Sequence, residues 1–140
     1  MQKIFFLFFI FLCSLFSFAQ PGALDFSFDP DIGTDTVIVV AKVQADGKIL
    51  IGGYFTSYNG ISANGIARLN TEGSLDASFQ IGSGFNDVVK YILIQPDGKI
   101  LVGGWFTEYQ GIVAMRMIRL NSDGSVDITF NVGLRDSVTM

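Results

Sequence analysis

Asp46-Gly47-Lys48-Ile49-Leu50-Ile51-Gly52-Gly53-Tyr54-Phe55-Thr56 recurs as Asp97-Gly98-Lys99-Ile100-Leu101-Val102-Gly103-Gly104-Trp105-Phe106-Thr107. The interval is 51 residues, and the flanking phrases keep it. Gly22, Gly73 and Gly124 open Gly-Ala-Leu-Asp-Phe-Ser-Phe, Gly-Ser-Leu-Asp-Ala-Ser-Phe and Gly-Ser-Val-Asp-Ile-Thr-Phe, and Arg68-Leu69-Asn70 returns as Arg119-Leu120-Asn121. Laid without a gap, Phe28–Ser78 and Phe79–Thr129 are identical in 23 of 51 columns. Unrelated chains of ordinary composition would share roughly 3 or 4. A period near 50 points to propellers or solenoids.

Each unit reads as four short strands. Thr36–Gln44 is rich in Val and Ile. Asp46-Gly47 then predicts a type I′ hairpin turn, because Asp-Gly supplies the positive φ such a turn needs. Lys48–Phe55 is the second strand, Ile66–Asn70 the third, and Leu75–Phe79 a short fourth strand or extended edge. Tyr58-Asn59-Gly60 and Ala63-Asn64-Gly65 break the chain between the second and third. No segment downstream of residue 19 shows a capped 3.6-residue period, so the class is all-β.

Both alternating faces of the first strand are apolar, with Val37, Val39, Ala41 and Val43 on one and Ile38 and Val40 on the other. A sheet of that kind needs cover on both sides. Stacked four-stranded antiparallel blades provide it. Gly52-Gly53 and Gly103-Gly104 lie within strands, where glycine implies close backbone approach or a bulge. The aromatic pairs after them, Tyr54-Phe55 and Trp105-Phe106, are expected to fill the space between blades.

These phrases resemble the delta-60 repeat family, β-propeller repeats of exported bacterial proteins. The resemblance runs through Gln44–Phe55, Ile66–Asn70 and Gly73–Phe79, then Gln95–Phe106 and Met117–Phe130. It implies a propeller and an extracellular or cell-surface location, and it carries no catalytic residue over to this chain. Kelch repeats share a hydrophobic run ending in Gly-Gly, but their later, spaced Tyr and Trp are not matched here.

The first segment reads as an address. Met1-Gln2-Lys3 supplies a positive charge, Ile4–Phe18 a 15-residue apolar stretch, and Ser17-Phe18-Ala19 a cleavage site, the order of a secretory signal peptide over 1–19. The stretch falls short of the roughly 20 residues of a spanning helix. Lipid attachment at Cys13 is disfavoured by Leu12 before it. Cleavage after Ala19 leaves 121 residues, moves the net charge from −4 to −5 and removes the one cysteine. The expected organisation is a signal peptide at 1–19, repeat 1 at 20–72, repeat 2 at 73–123 and the start of a third repeat at 124–140. Two units fall below the 4–8 blades of a propeller. The chain therefore reads as a piece of a longer protein, as an oligomerising short chain, or as a small open array. Further repeats or self-association are expected to cover the open blade faces.

The absence of His excludes Ser-His-Asp and Cys-His catalysis and His-bearing zinc sites. Net acidity repels phosphate, so nucleic acid is not an expected partner. After cleavage no membrane association is expected. Asp25, Asp76 and Asp127 recur once per unit and could ligate a cation or substrate. A turn-forming side-chain-to-backbone bond is preferred, since structural residues recur in every repeat. Asn121–Asp127 and its sister Asn70–Asp76 lack the spacing and closing Glu of a calcium loop and read as hairpin turns. Arg68 and Arg119 are expected to form internal ion pairs, with Asp76 and Asp127 as partners. Lys48 and Lys99 are expected to cover strand edges. No residue is assigned as catalytic, cofactor-binding or metal-ligating, and no cofactor is implied. The expected function is an exported, non-enzymatic binding or scaffold module for a protein or glycan at the cell surface. The alternative is a fragment of a secreted propeller hydrolase or lyase acting on polysaccharide. A polar cluster present in one copy only would favour the enzyme. Asn64-Gly65 against Met115-Arg116 reads as loop variation.

Overall fold

The computed structural model describes residues 24–130. The expected signal peptide at 1–19 and most of the expected third repeat lie outside the described residues. The first unit contains β1 (Ile38–Val43), β2 (Ile49–Gly53), β3 (Ser57–Tyr58), β4 (Ile61–Ser62) and β5 (Ile66–Leu69). The second contains β6 (Val89–Ile94), β7 (Ile100–Gly104), β8 (Glu108–Tyr109), β9 (Ile112–Val113) and β10 (Met117–Leu120). Every element of the second unit starts 51 residues after its counterpart. Strand order is β1-β2-β5 in blade 1 and β6-β7-β10 in blade 2, with β3-β4 and β8-β9 as two-residue hairpins. All pairing among these strands is antiparallel, and the described residues contain no helix. The all-β, propeller-type reading holds.

The blades differ from the four-stranded expectation in two respects, the first being the two-residue hairpins β3-β4 and β8-β9 where the sequence predicts breaks. The second is that the fourth strand shrinks to a single bridge, Leu69 with Leu75 and Leu120 with Val126. The cause is the aspartate one residue on. The bonds from Asn70 N–H to Ser74 O and from Asp76 N–H to Arg68 O make the bridge, and Phe79 N–H then donates to Asp76 O, a turn that ends the pairing.

The Asp-Gly turns also differ from expectation. Gln44 N–H donates to Lys48 O at 2.8 Å and Gly47 N–H to Gln44 O at 2.9 Å. The loop is therefore three residues long, Ala45-Asp46-Gly47. Gly47 alone takes positive φ, 84°, and Asp46 does not. That is the three-residue hairpin with a left-handed glycine at its end, rather than type I′. The type I′ signature, two successive positive φ values, falls at Asn59-Gly60 (50° and 76°) and Gln110-Gly111 (52° and 75°).

One face of each three-stranded sheet is closed from within. Phe55, Tyr58 and Ala63 pack on Ile51, Ala67 and Leu69 of blade 1. The other face of blade 1 is closed by blade 2. Leu50 and Ile66 share a core with Val89, Ile92, Phe85 and Phe106, and Val40 packs against it. The paired strand glycines have separate reasons. A Cβ on Gly52 would stand 2.6 Å from Val89 Cγ1, across the seam. A Cβ on Gly53 would strike Val37 O, beside the bulge at Ile38–Val40. Only the second aromatic of each pair is core. Phe55 and Phe106 are buried, whereas Tyr54 and Trp105 stand half exposed, because their side chains alternate to the outside.

Candidate functional site

The recurrent aspartates are built into the blades. Asp76 is 7% exposed. Its Oδ2 accepts from Lys48 Nζ and Arg68 Nε, each at 2.7 Å. Its Oδ1 accepts from Ser78 N at 3.0 Å and Ser78 Oγ at 2.6 Å. Asp127 repeats the arrangement with Lys99, Arg119 and Thr129. Burial alone would raise the Asp76 pKa. The bonds from Lys48, Ser78 and Arg68 outweigh it and hold the carboxyl below its ordinary value. Bonds from Lys99 and Thr129 lower Asp127 likewise. A carboxylate with both oxygens engaged is a corner post, not a free ligand. The exposed Asp25 carboxylate accepts only from Ser27 among the described residues, with no Lys-Arg pair bonded to it. The expected Arg68–Asp76 and Arg119–Asp127 pairs are present. Lys48 and Lys99, expected to shield edges, complete these clusters instead, since the hairpin brings β2 beside the corner.

Arg68 also ties the blades together. Its Nη1 donates to Ser122 O of blade 2 at 2.6 Å, and its guanidinium lies 4.7 Å from the Phe79 ring centroid. The oxygen-rich turns are hairpins closed internally. Asn121 N–H donates to Ser125 O, and Asp123 Oδ1 accepts from Ser125 N and Oγ.

The surface with the widest range of available chemistry is a groove of about 530 Å³ at the seam. Blade 1 contributes Tyr54, Thr56 and Asn64, and blade 2 contributes Ser83, Asn86, Asp87 and Glu108. Its walls are fixed by bonds. Asn64 Nδ2 donates to Ser83 O at 2.8 Å, and Phe85 N–H donates to Asn64 O at 3.0 Å. Asn86 accepts from Thr107 N and Glu108 N and donates to Thr107 Oγ1. The charged groups lining it among the described residues are the carboxylates Asp87 and Glu108. With the half-exposed Tyr54, they form a polar, aromatic, net-negative cleft.

The sequence names Tyr54 as an inter-blade aromatic and Asn64 as a loop position, and marks none of the groove residues as a ligand contact. They come from segments of the two units that meet only when the blades stack. The copy-specific positions in the groove are Asn64-Gly65 against Met115-Arg116 and Asn86-Asp87 against Asp35-Thr36, and the first pair reads in sequence as loop variation. Gly65, with φ 74°, lets Phe85 Cβ come within 3.2 Å of where its own Cβ would stand, and Asn64 holds the entry of blade 2.

A family model described as "Domain of unknown function (DUF5122) beta-propeller" matches residues 44–79 and 95–130. The matched segments run from the first hairpin of each blade to the aromatic after its corner aspartate. Neither a curated protein nor a solved structure matches the chain.

Proposed function

The chain belongs to the DUF5122 β-propeller family, and from that premise we propose that it is an exported, non-enzymatic binding module of the cell surface or its surroundings. The seam groove carries this reading. A rigid two-blade scaffold presents Tyr54, Asn64, Asn86, Asp87 and Glu108 around one cleft. An exposed aromatic face beside amide and carboxylate groups suits sugar rings or cationic peptide side chains. The carboxylates disfavour anionic ligands. The N-terminal apolar segment supports export.

The test is titration of the purified chain with neutral oligosaccharides and with lysine-containing peptides, followed by calorimetry. One of the two sets should bind. Tyr54→Ala should weaken binding at least about tenfold, the effect of removing one aromatic contact. Absence of binding to both sets, or binding indifferent to Tyr54→Ala and Asn64→Met, overturns the groove as the site. Export is read separately from the N-terminus of secreted protein, which should be Gln20.

A further inference from the structure

We propose that Lys90, Trp105 and Arg116 form a second binding site, at the rim of blade 2, for a uronate-bearing sugar. The inference is independent of what the seam groove binds.

The site starts from a bulge. The register of β6 on β7 shifts between Val89 and Tyr91, which leaves Lys90 as the extra residue. A bulge re-aims its side chain, and Lys90 Nζ lies 3.5 Å from the centroid of the Trp105 ring. Blade 1 shifts at the same place, between Ile38 and Val40, but its extra residue is Val39. Trp105 follows the strand glycines as Tyr54 does in blade 1. Arg116 stands where blade 1 has Gly65, and holds φ at 64° where the glycine holds 74°. That backbone suits glycine, and strain of this kind collects at ligand sites.

The three side chains line one cleft. Their access does not depend on what lies beyond blade 2, because blade 1 shows the equivalent positions with a neighbour in place. There Val39 is still 43% exposed and Tyr54 50%, and Gly65 lines the seam groove. The apolar centre of the blade 2 face is a separate surface and plays no part.

Charge selects the ligand. The chain carries a net charge of −4, yet no Asp or Glu lines this cleft among the described residues. Lys48, Arg68, Lys99 and Arg119 are held in ion pairs. Lys90 and Arg116 are in none among the described residues, and both line the cleft. The seam groove is the reverse, with Asp87 and Glu108 and no cation among its described lining. Two unpaired cations draw an anion. An ammonium seated on an indole keeps its hydrogen-bond donors for a ligand, and a guanidinium grips a carboxylate through two parallel bonds. Trp105 stays 51% exposed with Lys90 over it, so part of the ring is left for stacking. A sugar ring bearing a carboxylate matches both halves of the site, C–H groups on the indole and the anion on the cations. An acidic peptide supplies the carboxylate without the ring.

Trp105 is the one tryptophan of the chain, so its emission reads this site alone. The experiment is fluorescence titration of the purified chain with oligosaccharides of galacturonate and of glucuronate. Their methyl esters serve as neutral controls and a glutamate oligopeptide as the peptide control. At least one uronate should shift the Trp105 emission, with an affinity that falls as salt rises, and its ester should not. Lys90→Gln and Arg116→Gly should each weaken binding about tenfold, the loss of one charge-assisted contact. Arg116→Gly should do so while raising the midpoint of chemical unfolding, which separates a lost contact from a lost fold. Tyr54→Ala should bind the uronate as the wild type does, which separates this site from the seam groove. Failure of both uronates, an equal response to the esters, or wild-type affinity in both charge variants overturns the proposal. So does a glutamate peptide that binds more tightly than the sugars.

Discussion

Val89 occupies the volume that a side chain at Gly52 would need. Its Cγ1 lies 2.6 Å from the place of the missing Cβ, and Ile92 Cδ1 lies 3.1 Å away. Both belong to the neighbouring blade, while Val40 Cγ1 of the glycine's own blade stands at 2.9 Å, so the position is crowded from both sides of the seam. Gly52→Ala should lower unfolding free energy by about 1–3 kcal/mol, the cost of overpacking. Gly103→Ala should change it by no more than about 0.5 kcal/mol. Urea denaturation at concentrations where the chain is single distinguishes the two.

The Lys48–Arg68–Asp76 corner makes an acid limb in the stability curve. The Asp76 and Asp127 carboxyls sit below their ordinary 3.8 in the folded chain. Between the folded and unfolded values the unfolded state binds more protons, so stability rises with pH there. The contribution is present above about pH 4 and is lost as pH falls through the depressed folded values. Asp76→Asn should flatten this limb in thermal melts taken from pH 5 to pH 2. Asp76→Ala should cost about 3 kcal/mol at pH 7, because Arg68 is left buried without its carboxylate.

Arg116 holds φ at 64°, a left-handed backbone that its counterpart Gly65 adopts at 74° without a Cβ. Arg116→Gly should stabilise an isolated chain by about 0.5–1 kcal/mol, as relief of the left-handed strain exceeds the added freedom of the unfolded chain. Gly65→Ala should do the reverse, since Phe85 also crowds that position. Midpoints of chemical unfolding give the sign.

The Tyr109 hydroxyl donates to Gly124 O at 2.8 Å from a fully buried ring. Tyr58 makes the same bond to Gly73 O at 2.6 Å. Tyr109→Phe should cost about 1 kcal/mol. Burial pushes the Tyr109 phenol above its ordinary 10.0. The neutral form is therefore favoured by folding, and this contribution is full below about pH 10 and declines as pH rises through the folded value. Absorbance titration should show one fewer phenol resisting ionisation in Tyr109→Phe than in the wild type.

The features legible in the sequence were those repeated in it. The 51-residue period placed the three long strands of each blade in two matching sets, whereas the two-residue hairpins β3-β4 and β8-β9 fall where the sequence reads as breaks. Arg68 and Asp76, eight residues apart in both copies, suggested the ion pair that forms. What escaped depended on geometry between segments. Asp46-Gly47 looks like a two-residue turn until Gln44 and Lys48 are seen to pair, which draws Ala45 into the loop. Leu75–Phe79 has strand composition, but Asp76 bends it after one bridge. Lys48 reads as an edge guard because nothing local shows that the hairpin carries it to the corner. The groove escaped for a stronger reason. Asn64 and Asn86 are 22 positions apart, in different blades, and neither sits in a motif.

The Arg68–Ser122 bond has a consequence for how the molecule comes together in time. The guanidinium of one cassette finds its last acceptor on a turn synthesised 54 residues later. In a chain made from its N-terminus, the Arg68 guanidinium therefore lacks this acceptor until the Ser122 turn of blade 2 has been made. The first cassette is fastened by the second, like a zip closed one tooth behind its slider.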